Sequence, residues 1–229
     1  MKKFKLTSEF IVDISGVKLF RIKALIEFGN VKAGDLGGYI EKEENLSHMG
    51  NAWVSGNAQV SGDAQVFGDA RVSGDAQVFG DARVSGNARV SGNARVSGDA
   101  WVSGDAQVFG NARVSGNARV SGDARVFGNA QVFGNARVFG NAWVSGDAQV
   151  SGDARVFGDK DYAYAHGFGS CNRTTTFFRL KDGDVGVRCG CFYGTLAQFR
   201  DNVCETHGET KKAQEYLMLA DLMDFRFKN

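Results

Sequence analysis

The chain has 229 residues, 43% of them hydrophobic and 23% charged, with a formal net charge of +1. That length admits one large domain or two small ones, and the near-neutral balance excludes both a protein that coats nucleic acid and an acidic mimic of DNA. Met1 to Phe10 is basic but lacks the apolar run of a signal peptide, and no apolar stretch of membrane-spanning length follows, so a soluble, cytoplasmic protein is expected.

Residues 9–27 alternate around Ser15-Gly16 and predict two strands joined by a turn, part of an N-terminal β cap over residues 1–49. From Gly50 to Phe157 one phrase, Gly-(Asn/Asp)-Ala-x-Val-(Ser/Phe), repeats eighteen times without insertion or deletion. Ala and Val stand two apart, so in an extended segment both face one side and the residue between them faces the other. That outward position holds Arg nine times, Gln six times and Trp three times. The Gly-Asn/Asp pair tolerates the backbone angles of a turn, so each hexad is one short strand plus one corner. Three hexads close a coil, and eighteen give six coils. At a strand spacing of about 4.8 Å the stack is a prism about 29 Å long. The chain contains no proline, as suits a molecule whose strand N–H groups serve as ladder donors.

The period stops at Asp159. Residues 174–180 and 185–192 predict a hairpin around Lys181-Asp-Gly-Asp184. Thr195 can cap a helix running to about Thr206, and a second helix is expected from Thr210 to about Phe225 with Ala213, Tyr216, Leu217, Ala220, Leu222 and Met223 on its apolar stripe. All four cysteines, Cys171, Cys189, Cys191 and Cys204, lie in this last part, which points to free thiols in a reducing compartment.

An aliphatic residue with a small residue two places before it resembles the hexapeptide-repeat, left-handed β-helix superfamily. That resemblance, and not the period, implies the left hand. The lead-in Val31-Lys-Ala-Gly-Asp-Leu-Gly-Gly-Tyr-Ile40, then Asn45-Leu-Ser47 and Gly50-Asn-Ala-Trp-Val54, is similar to uncharacterised hexapeptide proteins of bacteria and their phages over roughly residues 17–157. Gly169-Ser-Cys-Asn-Arg-Thr-Thr-Thr176 with Cys191-Phe-Tyr-Gly-Thr-Leu-Ala-Gln-Phe199 is similar to a small C-terminal module on phage and prophage repeat proteins. The expected fold is therefore mainly β: a left-handed parallel β-helix of six coils over 50–158, the β cap before it, and a small α+β module over 159–229. The superfamily habit implies a homotrimer. The phage likeness implies a viral setting, with the protein acting in the host cytoplasm.

The resemblance also implies acyl transfer with a histidine as general base. Only His48, His166 and His207 are present, none within the eighteen hexads, and no loop interrupts the coils. Cys189, Cys191, Cys204 and His207 could together complete one tetrahedral zinc site, against the simpler reading of buried thiols. Residues 18 apart stack on one face, and one face ends in Arg119, Arg137 and Arg155 with Asn117, Asn135 and Asp153 at the corners of the same hexads. A row of planar guanidinium groups suits a multi-oxygen anion. The glycine-rich turn with Ser170, Asn172, Arg173 and Thr174 is expected to complete that site. The function read from the sequence is a non-enzymatic, oligomeric scaffold holding a small phosphorylated or nucleotide ligand or a host factor, with no cofactor; the alternatives are a virion-associated spacer and an acyltransferase. Phe67, Phe79, Phe109, Phe127, Phe133, Phe139 and Phe157 follow valines at the corners, where they either form oligomer contacts or fold over half-buried.

Overall fold

The computed structural model describes residues 2–169 and 173–228. Two antiparallel strands, β1 (Phe4–Val12) and β2 (Lys18–Ala24), form the expected hairpin around Ser15-Gly16, and β3 (Leu36–Ile40) pairs with β2. The Asp13 carboxylate accepts the N–H groups of Ser15 and Val17 and so closes the hairpin turn. The eighteen hexads then supply the two-residue strands β4 to β21, from Trp53–Val54 to Arg155–Val156. Strands 18 residues apart pair in parallel, as Arg89 with Gln107 and Arg137 with Arg155, so three flat faces run along a β-solenoid.

Every Ala and Val of the repeat is buried completely, which leaves a core of one small and one branched residue per strand. Stacked corners make glycine obligatory. Gly86 has φ +64°, and a Cβ there would stand 3.0 Å from both the N and the O of Gly104 in the next coil.

The six coils counted from the repeat are preceded by a further, irregular turn. Tyr39 and Ile40 of β3 pair with Gln59 and Val60, and Leu46 bridges to Val66. These offsets are 20 residues where the repeat has 18: Ile40 and Leu46 keep the six-residue step, but Leu46 and Val54 stand eight apart, so the two extra residues lie between them. The extra turn places aliphatic side chains over the first coil, so about seven turns share one core. Carbonyls that this turn does not reach take side-chain donors. Asn45 donates to the carbonyls of Gly62 and Ala64, and the buried Lys3 ammonium to those of Gly50 and Ala52.

The other end receives acceptors. The N–H of Trp143 donates to Asp159, that of Gln149 to the Thr176 hydroxyl, and those of Phe157 and Gly158 to Asp161. Thr176 belongs to a four-stranded antiparallel sheet, β22 (Tyr162–Phe168), β23 (Arg173–Arg179), β24 (Val185–Cys189) and β25 (Phe192–Thr195). The predicted hairpin is thus the centre of a larger sheet. Adjacent Phe177 and Phe178 project to opposite sides of β23. Phe178 joins the solenoid core, whereas Phe177 packs with Phe199, Val203, Tyr216 and Ala220 under the helices α1 (Leu196–His207) and α2 (Lys211–Phe227). Both helices stand where the sequence put them, α1 with the Thr195–Gln198 capping box. One stripe residue is corrected: Leu222 is 56% exposed and Phe227 is buried instead, because the α2 face that meets the sheet runs through Ala213, Tyr216, Ala220, Met223 and Phe227 at three- and four-residue steps.

Candidate anion-binding groove

Arg119, Arg137 and Arg155 project outward from three consecutive strands of one face. Valine fills the inside of each strand, so alternation forces the arginine out. With Asn117, Asn135, Asp153 and Lys181 they line an open groove of about 280 Å³. The corner amides form a directional ladder: Asn117 Nδ2 donates to Asn135 Oδ1, and Asn135 Nδ2 to Asp153 Oδ1. The other Asp153 oxygen accepts from Lys181 Nζ at 2.9 Å. The Lys181 bond first, then that from Asn135, holds the Asp153 carboxyl below its ordinary range. Arg119 lies over the Trp101 ring, 5.8 Å from its centroid. Four cationic side chains thus share the groove with one carboxylate, and that carboxylate is already paired with Lys181.

Lys181 is legible in the sequence as a turn residue but not as a member of the groove. It sits at the β23–β24 turn, and the bridge between Ala154 and Leu180 lays that turn against the last arginine strand. The turn signal was legible, but its landing place depends on the long-range register of β23.

Other expected members stand elsewhere. Ser170 and Asn172 lie outside the described residues. Arg173 and Thr174 open β23, seven residues from Leu180 and so about 23 Å along an extended strand. Thr174 Oγ1 bonds His166 Nδ1 at 3.0 Å, and the pair does not reach the arginine row. An extended strand therefore separates two halves that the sequence reading had joined.

The zinc set is not assembled. Strand β24 ends at Cys189, and Gly190 at φ +57° turns the chain, so Cys191 lies in the turn and does not share a strand face with Cys189. The Cys189 thiol accepts from Thr175 Oγ1, His207 stacks on Tyr216, and Cys191 and Cys204 are exposed rather than buried thiols. Among the described residues no group of three or more His, Cys, Asp or Glu side chains could hold a metal ion.

His48 is committed to the N-terminal cap. Its Nδ1 accepts the Lys3 N–H, so Nε2 carries the proton and donates to Glu43 Oε1 at 2.7 Å. The ring stacks on Phe4 at 4.3 Å. Neither nitrogen is left to act as a base.

The aromatic corners give a split answer. Phe109 stacks on Phe127 and Phe139 meets Phe157, as their 18-residue spacing requires. Most are half-buried against the next coil, but Phe157 is 62% exposed, Phe79 is also exposed, and Trp143 on the neighbouring face is 48% exposed beneath Arg125.

Segments 64–78, 76–90, 88–104, 106–121, 118–132, 130–146 and 148–159 fit one family pattern. The repeat block is similar to the YdcK beta solenoid repeat. The YdcK-type matches begin in the first coil and run to Asp159, where the period ends. They describe the scaffold that carries the arginine row and stop short of Lys181. No curated protein matches the chain. No helix among the described residues is long and apolar enough to cross a membrane.

Proposed function

We propose that the chain is a non-enzymatic binding scaffold that holds a small multi-oxygen anion in the groove of Arg119, Arg137, Arg155 and Lys181. The observation that carries this reading is the imbalance of the groove, four cations against the single carboxylate of Asp153. Guanidinium groups carried on strands held at the ladder spacing offer paired donors to phosphate or carboxylate oxygens. The groove contains no histidine, cysteine or serine to act as base or nucleophile. Both His48 nitrogens are engaged at the opposite end, which favours binding over acyl transfer.

The same proposal makes the protein an oligomer in solution, with the exposed Phe157, Trp143 and Tyr164 as the apolar surface to be covered. A three-subunit assembly, a phage origin and action in the host cytoplasm follow from the resemblances of the repeat and C-terminal segments and stand as part of it. An open-ended spacer is favoured less, because side chains and terminal segments occupy both ends of the solenoid.

Isothermal calorimetry with a panel of phosphorylated small molecules tests the reading. Binding that weakens at least about tenfold in Arg137→Ala/Arg155→Ala supports it. Absence of binding by the wild-type chain at concentrations near 100 µM, a Kd class of roughly −5 kcal/mol, rejects it. Light scattering reads the oligomer, and a mass of 24.6 kDa would remove that part.

A further inference from the structure

The cations of the groove are not equivalent. Lys181 is tied to Asp153 and Arg119 rests on Trp101, whereas Arg137 and Arg155 form no ion pair or ring stack among the described residues. These two face each other across paired strands, Arg137 in register with Arg155, about 4.8 Å apart. The corner amides beside them are spent on one another in the ladder ending at Asp153. The groove therefore presents two guanidinium forks outside any ion pair, one on each of two successive rungs, with a further cation on either side; Arg155 also draws on Asp153 at longer range.

We propose that the groove selects a diphosphate group over a single phosphate, one phosphoryl on the Arg137 rung and the other on the Arg155 rung. This rests on the reading that the groove takes an anion. A lone phosphate occupies one fork fully and leaves the other cation unrelieved. Two phosphoryl groups sharing a bridging oxygen place terminal oxygens on both rungs. Their combined charge of about −3 at neutral pH matches four cations less one carboxylate. The groove is a trough on the prism face and is open to solvent, so an ester substituent on either phosphorus can leave it without obstruction. Inorganic diphosphate and a nucleoside diphosphate share the chemistry that is recognised.

Calorimetry on the full chain at constant ionic strength, with inorganic phosphate, inorganic diphosphate and adenosine diphosphate, tests the assignment. Wild type is expected to bind diphosphate at least about tenfold more tightly than phosphate, through the second bidentate contact. Arg155→Ala is expected to abolish that preference, and Arg95→Ala, outward on a different face, to change neither affinity. Equal wild-type affinity for phosphate and diphosphate overturns the diphosphate assignment and leaves the anion site standing. No binding of either overturns both. Adenosine diphosphate at or above the affinity of inorganic diphosphate supports an esterified ligand, and adenosine diphosphate weaker than phosphate overturns the open trough. Circular dichroism of each variant checks that the solenoid is intact.

Discussion

The ammonium of Lys3 donates to the carbonyl oxygen of Ala52 at 2.8 Å, although 49 residues separate them and Lys3 is only 1% exposed. A second bond at 3.3 Å reaches Gly50, and the Phe28 ring lies 4.7 Å from the nitrogen. Where the lead-in turn supplies no backbone N–H groups on this face, one side chain stands in. Burial depresses its pKa from 10.5 to about 8, with Asp69 partly opposing the shift.

That shift gives a pH dependence of definite sign. Between pH 8 and 10.5 the unfolded chain holds the Lys3 proton and the folded chain does not, so this group makes stability rise with pH through that window. The full rise is about 3 kcal/mol, and the neutral amine keeps two hydrogens for the same two carbonyls. Lys3→Met should lack this rise and leave both carbonyls without a donor, so its deficit against wild type should be larger at pH 10 than at pH 7. Urea unfolding at the two pH values reads the difference, and an equal deficit at both would refute the assignment.

Gly86→Ala should destabilise by about 2 kcal/mol or more, because the new Cβ meets the Gly104 backbone at 3.0 Å in addition to the strain of positive φ. Gly16→Ala, at φ +83° with open space around it, should cost about 1 kcal/mol from backbone strain alone. Thermal denaturation of the two variants separates crowding from conformation.

Thr176→Val keeps the shape of a buried side chain while removing the acceptor of the Gln149 N–H. A stranded buried donor costs about 1–3 kcal/mol. Hydrogen exchange at Gln149 should accelerate in the variant, and unchanged protection there would mean that the sheet does not close the solenoid through this bond.

Asp153→Asn keeps the corner ladder, since Asn135 can donate to an asparagine Oδ1 just as Asn117 donates to Asn135. It removes the carboxylate and frees Lys181. Affinity for a phosphate-bearing ligand should rise about three- to tenfold, most at low salt. Lower affinity would show that Asp153 orients Lys181 instead of competing with the ligand.

The solenoid could be read from the chain because each hexad states the same pattern eighteen times, and a slip of one residue would turn every valine outward. The arginine row followed directly from counting by 18. What could not be read depends on contacts with no period. The lead-in turn escapes because Ile40 and Leu46 sit 20 residues from their partners. Strand β22 was hidden because Tyr162–Phe168 becomes a strand only by pairing with β23. Lys181 joined the groove, and Arg173 was carried away from it, by the direction in which β23 crosses the end of the prism. A register between distant segments leaves no local mark in either of them.

The 18-residue register also ties the length of this molecule to its orientation. Adding or removing three hexads would move the C-terminal module along the prism and keep it over the same face. Adding or removing one would swing it by a third of a turn and bring Lys181 beside a column led by different residues. Growth of such a chain is therefore quantised: whole coils change the reach of the protein, and single hexads change which of its faces the terminal module overlooks.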